Sequence, residues 1–284
     1  MIAHSFEYVA PSSMEEAVSY LTISGHSAAV LGGGTMLLPA MSRSEERPSL
    51  LVDLRRLGLT EITERTADII IGARTTYDHI LASPLTQRAA PILVSMASGI
   101  TGGRSITGQG TLVGSACYAN PASDIPACLA ALDARVLLAS DSGTRELPIR
   151  EFLLGGFRTA RRTDEIATAL AIPKPRGQSA WAYRKVKLSE SSWPIITVAC
   201  LVAEGSEGSA DVTICIGGLA ATPLVGKCMV ETEGTGSLET MLRHVTEKIA
   251  APWTDELADA EYRALAAPPV ARRVLREALV KYNA

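Results

Sequence analysis

Val30-Leu31-Gly32-Gly33-Gly34-Thr35-Met36-Leu37-Leu38-Pro39 sets three consecutive glycines between two apolar runs, residues 28–31 and 36–38. The first run reads as a short buried strand and residues 37–41 as a brief helical turn. A strand that ends in glycines and re-enters apolar sequence is a tight turn with no side chains in the way. It can bring backbone N–H groups against an anion such as a pyrophosphate. The spacing is not G-x-G-x-x-G, and no Lys-Ser/Thr follows to make a P-loop. On these residues alone, a purely structural turn and an anion cradle both stand.

Outward from the turn, Met14, Ala17, Val18 and Leu21 recur at helical spacing after Ser12-Ser13, with Gly25 as a stop. Leu50-Leu51-Val52-Asp53-Leu54 reads as another strand, so the first 55 residues form a small β-α-β-like unit. A second unit begins at Ile69-Ile70-Ile71-Gly72-Ala73. Residues 76–81 are expected as one helix and residues 85–98 as a second, longer one. Residues 134–139 and 144–148 form a hairpin about Asp141-Ser142-Gly143. Residues 165–172 read as a strand, and Pro173-Lys174-Pro175-Arg176-Gly177 is the best boundary in the chain. Beyond it, Trp181-Ala182-Tyr183-Arg184-Lys185-Val186-Lys187 alternates as a strand with a basic face. A polar turn ending in Trp193 follows, and then strands at 195–202 and 212–216 about a turn at 205–208. The pattern is helical from Leu238, and Val270, Val274, Leu275 and Leu279 repeat it with Arg272, Arg273 and Arg276 on the outer face, either a solvated face or an edge docking onto a partner.

Between Gly99 and Gly114 there are six glycines and one charged residue, Arg104. Glycine loses more entropy on folding than any other residue, so this density needs a reason. Close approach of backbone to a ligand explains it better than a plain flexible loop. Asn120-Pro121-Ala122-Ser123-Asp124-Ile125-Pro126 then opens an Ala/Leu-rich helix. Asp124 is either a helix cap or a carboxylate that accepts hydrogen bonds from a polar ligand behind the glycine-rich segment.

Composition closes off several classes. The chain has 284 residues, 47% hydrophobic and 20% charged, with a net charge of -3. It can bury a full core and carries no electrostatic footprint for nucleic acid. No apolar run is long enough to span a membrane. No basic stretch precedes an apolar run at the start of the sequence, so no signal peptide is expected and a cytoplasmic location is. Five scattered cysteines without a C-x-x-C pair read as buried thiols, and four unclustered histidines offer no metal site. No nucleophile elbow, H-E-x-x-H or nucleophile–base pair is present. Two glycine-rich turns with an aspartate behind the second suit a long anionic cofactor, and a dinucleotide such as FAD or NAD fits better than one phosphate. Such a cofactor would carry the chemistry that the side chains lack.

The order of Phe6-x-Tyr8-x-x-Pro11, the glycine turn, Leu51-Val52-Asp53-Leu54, Ile71-Gly72-Ala73, Gly110-Thr111-Leu112-Val113-Gly114-Ser115 and the 120–126 segment resembles the FAD-binding medium subunit of the molybdenum hydroxylases. That is the family of carbon monoxide dehydrogenase, xanthine dehydrogenase and the N-heterocycle dehydrogenases. Tyr183-Arg184-Lys185-Val186-Lys187, Ile216-Gly217-Gly218 with Thr222-Pro223, and Glu261-Tyr262-Arg263 extend the likeness to essentially the whole chain.

The resemblance implies an α+β fold of the vanillyl-alcohol-oxidase (PCMH) type, with two α/β lobes at 1–57 and 58–176. A C-terminal domain at 177–284 would hold a three-stranded antiparallel sheet with helices. It implies FAD wrapped by Gly32, Gly33, Gly34, Thr35 and Met36 and by Thr111, Leu112, Val113, Gly114 and Ser115. Asp124, Lys187 and Trp193 are implied beside the flavin. The partners would be a large molybdenum-cofactor subunit and a small subunit with two [2Fe–2S] clusters, in a dimer of heterotrimers. The chain would relay electrons from the clusters to an external acceptor, with no catalytic residue or metal of its own. Two departures stand out: Val113 replaces the first glycine of Thr-Ile-Gly-Gly-Asn, and Thr107-Gly108-Gln109 replaces Arg-Asn-Arg. Residue 113 must then keep φ below zero or carry strain. The rival readings are a self-contained FAD oxidoreductase and a flavin-free scaffold subunit.

Overall fold

The computed structural model describes residues 2–175, 177–206, 209–230, 236–247, 249 and 251–284. The chain opens with β1 (Glu7–Val9), α1 (Met14–Ser24), β2 (Ala28–Leu31), α2 (Leu37–Ser42) and β3 (Leu50–Asp53). The three strands form a parallel sheet in the order β1-β3-β2. Parallel neighbours need crossover connections, which α1 and the turn with α2 supply. Ser13 Oγ accepts from the Glu16 amide at 3.1 Å and caps α1, whose Ala17, Val18 and Leu21 are buried. Gly25, at φ 54°, stops it. This is the β-α-β unit expected around the glycine turn, plus the edge strand β1, which is too short to show a period in sequence.

The second region begins with β4 (Ile62–Glu64) and β5 (Asp68–Gly72) and continues as helices: α3 (Tyr77–Ala82), α4 (Pro84–Ala89), α5 (Pro91–Ser98), α6 (Arg104–Thr107), α7 (Leu112–Tyr118) and α8 (Asp124–Ala131). It ends with β6 (Arg135–Ser140), β7 (Gly143–Pro148), α9 (Ile149–Phe152), the short pair β8 (Leu153–Gly155) and β9 (Arg158–Thr159), and β10 (Ile166–Pro173). Its main sheet, β4-β5-β10-β6-β7, is antiparallel throughout.

The single helix expected over 85–98 is two helices. Pro91 cannot donate a backbone hydrogen bond and pushes the residue before it out of the helical region. Ala90 accordingly sits at φ -145°, ψ 56°. The expected turn at 111–115 is also different. Thr111 is the N-cap of α7, and its Oγ1 accepts from the Gly114 amide at 3.1 Å. Val113 lies in helical backbone and is absent from the residues with positive φ, so it carries no strain.

The last region holds β11 (Ser179–Lys187), β12 (Pro194–Glu204), β13 (Ala210–Gly217) and β14 (Leu224–Val230), then α10 (Gly236–Glu247) and α11 (Ala260–Tyr282). The sheet has four strands, not three. The added β14 pairs with β13 over seven residues, from Ile216↔Leu224 to Ala210↔Val230. Of the segments assigned from sequence, Arg176 in the boundary stretch and Glu207 and Gly208 in the 205–208 turn lie outside the described residues. Gly205 N donates to Ser209 O at 2.9 Å across that turn. Arg272, Arg273 and Arg276 are exposed on α11, as expected.

One core cluster runs through the first two regions and takes in Ala199 and Cys215 of the last sheet. A second fills the space between that sheet and α10 and α11. Between the central helices and the last sheet lies α8, Asp-Ile-Pro-Ala-Cys-Leu-Ala-Ala, all eight residues of it buried. A helix apolar almost all round belongs in a core. Its packing on β12 and β13 carries its first residue, Asp124, to the junction of the regions.

Candidate functional site

A cavity of about 200 Å³ opens where the three regions meet. Thr35 and Met36 line it from the first region. Tyr77, Ile100, Thr101, Ile106, Ser115, Tyr118 and residues 123–125 line it from the second, and Ser191 and Trp193 from the last. Of the thirteen candidates drawn from sequence, the cavity wall contains Thr35, Met36, Ser115, Asp124 and Trp193.

The glycine turn stands at its edge and is wedged against the second segment. A Cβ on Gly33 would fall 2.0 Å from the carbonyl oxygen of Gln109, and one on Gly32 would fall 3.4 Å from Thr111 Oγ1. Glycine is therefore required at 33 by the chain itself, with or without a ligand. Gly34 has φ 75°, a conformation glycine adopts without cost. Among the described residues, the amides of Gly33, Gly34, Thr35 and Met36 donate to no protein group, which leaves four N–H groups for an anion. In the second segment, Leu112 and Val113 bury their side chains in the core, so only their backbone can face a ligand. Gly114 is exposed at the start of α7.

Asp124 is buried, and its Oδ1 accepts from Tyr183 Oη and from Lys185 Nζ, each at 2.6 Å. Lys185 also donates to the carbonyl of Gly99 at 2.5 Å. Burial, with the Asp124 charge adding to it, holds the Tyr183 phenol well above its usual pKa. Tyr77 is buried beside the cavity with its hydroxyl 2.6 Å from Ser115 Oγ. Burial raises the Tyr77 pKa, the Ser115 hydrogen bond opposes the rise, and the Asp124 charge adds to it. Both phenols therefore stay protonated at neutral pH and can donate.

Lys187 does not reach Asp124. Its Nζ donates to Thr101 Oγ1 at 2.8 Å and to the carbonyl of Glu190. Thr101 Oγ1 in turn donates to the Ser192 carbonyl at 3.2 Å, so Lys187 ties the turn bearing Trp193 to the 99–101 segment. Trp193 is 40% exposed at the mouth. The residues missed from sequence are Tyr77, Tyr183 and Lys185. A signal for the last two was present, because a strand's period of two puts 183, 185 and 187 on one face. The arrangement can hold an elongated ligand with an anionic middle along the glycine turn and a flat, polar-edged end in the cavity. Among the described residues, no group of three or more His, Cys, Asp or Glu could hold a metal ion, and no helix is long and apolar enough to cross a membrane.

The family model for the FAD binding domain in molybdopterin dehydrogenase matches residues 4–175. The carbon monoxide dehydrogenase medium chain of Afipia carboxidovorans is 34% identical over 285 residues, covering 98% of each chain. The medium chain from Hydrogenophaga pseudoflava is 28% identical over 288 residues, again covering 98% of each. Among solved structures, carbon monoxide dehydrogenase from Hydrogenophaga pseudoflava lacking the Mo-pyranopterin moiety superposes with a TM-score of 0.92 at 28% identity, covering 99% of this chain and 100% of that one. The reconstituted enzyme from Oligotropha carboxidovorans gives 0.88 at 30% identity, covering 98% and 99%.

Proposed function

We propose that this chain, which belongs to the FAD-binding medium-subunit family of the molybdenum hydroxylases, holds one FAD across the junction of its three regions and serves as an electron-transfer subunit. The observation that carries the reading is the cavity itself. It draws its wall from all three regions, and a glycine turn with four unengaged amides stands at its rim. A dinucleotide fits this layout, because its pyrophosphate needs backbone donors without side chains and its ring system needs an apolar slot with polar edges. FAD, when bound, supplies the redox chemistry.

The chain's own residues bind and orient. Gly33, Gly34, Thr35 and Met36 would offer their amides to the pyrophosphate, and the first turn of α7, from Thr111 to Ser115, would approach it from the other side. Asp124, fixed on one oxygen by Lys185 and Tyr183, leaves its second oxygen to accept a hydrogen bond from the ring edge. Trp193 would cover the ring, and Lys187 holds the turn that carries it. Electrons would come from the two [2Fe–2S] clusters of a small partner subunit, fed by a large molybdenum-cofactor subunit in a dimer of heterotrimers. They would pass to an external acceptor. The two curated relatives reported above are medium chains of carbon monoxide dehydrogenase, which makes CO oxidation the first activity to assay in the native complex, with N-heterocycles, purines and aldehydes next.

The test is the purified complex and the isolated chain side by side. Flavin absorption bands in both, with reduction by substrate only in the complex, support the relay. Fast reduction of the isolated chain by an organic substrate would make it a self-contained oxidoreductase. A folded chain that neither carries nor takes up flavin would make it a scaffold.

A further inference from the structure

We propose that Arg74 supplies the positive charge for the cofactor's pyrophosphate, acting from behind the glycine turn; the inference rests on the reading that FAD lies along that turn. The cations that flank the two turns are placed elsewhere: Arg43 pairs with Glu45, and Arg104 lines a separate hollow with Asp78. Residues 29–42 and 105–115 contain no lysine or arginine. Backbone amides present only partial charges to an anion, and a guanidinium behind them adds a full positive charge to the site.

Arg74 is placed for this. It follows β5, and its amide donates to the Leu59 carbonyl at 2.7 Å, which fixes its backbone. Its neighbour Thr75 accepts from the Leu112 amide at 3.4 Å, and Thr76 bridges to Thr111. The Arg74 backbone is thus stitched to the segment that starts α7. From there the side chain reaches the first turn, where Nη1 donates to the carbonyl of Gly32. Residues 74–76 therefore touch both halves of the cradle, Arg74 the first turn and Thr75 and Thr76 the start of α7.

The guanidinium is also uncompensated. Among the described residues it makes no ion pair, while its Nε is buried and donates to nothing. Arg74 as a residue is half-buried, but a buried donor without an acceptor asks for a reason. Asp124, the carboxylate in the cavity wall, is taken up by Lys185. A second consequence follows from the bond to Gly32. By engaging that carbonyl, Arg74 holds the Gly32–Gly33 peptide plane, so that the Gly33 amide of the same plane points away from the guanidinium. Arg74 is therefore a binding and positioning residue at once.

The two roles separate by salt. The full-length chain, stripped of flavin, is titrated with FAD by flavin fluorescence, as wild type, R74Q and R74K, with near-UV circular dichroism to confirm that each is folded. We expect R74Q to bind FAD about ten- to a hundredfold more weakly at low salt, the scale of one charge-assisted contact. The gap should narrow as NaCl rises from about 50 mM to about 500 mM, because screening removes the charge term only from the protein that has it. R74K should retain the salt dependence. A gap between wild type and R74Q that stays constant with salt, or FAD binding by R74Q within about twofold of wild type at all salt concentrations, overturns the proposal. Failure of the folded wild type to bind FAD overturns instead the reading it rests on.

Discussion

Asp124 concentrates two short hydrogen bonds on one carboxylate oxygen, and the side chain of the lysine that makes one of them is only 14% exposed. Removing the negative charge while keeping the shape leaves that lysine buried and unpaired. D124N should therefore destabilise the chain by about 2–4 kcal/mol, somewhat less than a fully buried pair because Lys185 retains some solvent. In urea denaturation, K185M should cost less in the D124N background than in wild type; strictly additive losses would mean the two residues do not share this energy. The pair shows what sequence could and could not reveal. Asp124 was legible because it closes a polar segment just before an apolar helix. Its partner was only half legible: alternation puts Tyr183, Lys185 and Lys187 on one face of β11, but choosing that face, and Lys185 over Lys187 on it, requires knowing how β11 meets α8. A second consequence concerns alkaline pH. Burial holds the Cys128 thiol and the Tyr183 phenol well above their ordinary values of 9.0 and 10.0, and pushes Cys200 up to about 12. Above those ordinary values the unfolded chain gives up protons that the folded chain keeps, so stability is complete below pH 9 and falls as pH rises beyond it. The urea midpoint should drop steadily from about pH 9 upward; a flat profile to pH 11 would contradict the buried assignment of these groups.

At the scale of elements, the glycine turn and the start of α7 form one packed unit, because the Gly33 Cα lies directly against the backbone of Gln109. G33A should cost about 1–3 kcal/mol in the flavin-free chain, since neither backbone can yield without moving the other. Gly155, in β8, has nothing within 4 Å of an added Cβ and no positive φ, so G155A should be neutral within about 0.5 kcal/mol. Thermal unfolding of the two flavin-free variants checks this, and equal effects would refute it. It also means that flavin loss in a residue-33 variant would not by itself locate the pyrophosphate. Elements with a strong period or a clear stop were readable: α1 between Ser13 and Gly25, and the β6–β7 hairpin about Asp141-Ser142-Gly143. Those missed depend on context. β14 alternates weakly and is fixed by its pairing with β13, and α11 hides Pro268 and Pro269 within 23 helical residues. The Thr111–Ser115 segment looked like a turn because glycine-rich sequence and a helix N-terminus both expose backbone amides. The cap from Thr111 Oγ1 to Gly114 decides for the helix.

At the scale of the molecule, the cavity belongs to no single region, because removing any one of the three takes away part of its wall. A ligand seated there must couple the regions energetically, since it can bind fully only when all three are docked. FAD added at about a hundred times its dissociation constant should stabilise the chain by about 2.7 kcal/mol. For a chain of this size that amounts to a rise in melting temperature of roughly 5–10 °C. The distribution of the gain is more telling than its size. Hydrogen exchange should slow on FAD binding at residues 33–36 and 111–115, and equally at 188–193, the turn that Lys187 and Thr101 tie to the central helices. The turn lies more than seventy residues along the chain from 111–115 and is joined to the cavity only through side-chain and carbonyl contacts. Protection that reaches it therefore requires the ligand to span the junction. Protection confined to residues 1–175, with the 188–193 turn exchanging as fast as before, would place the ligand wholly within the first two regions and remove Trp193 from the site.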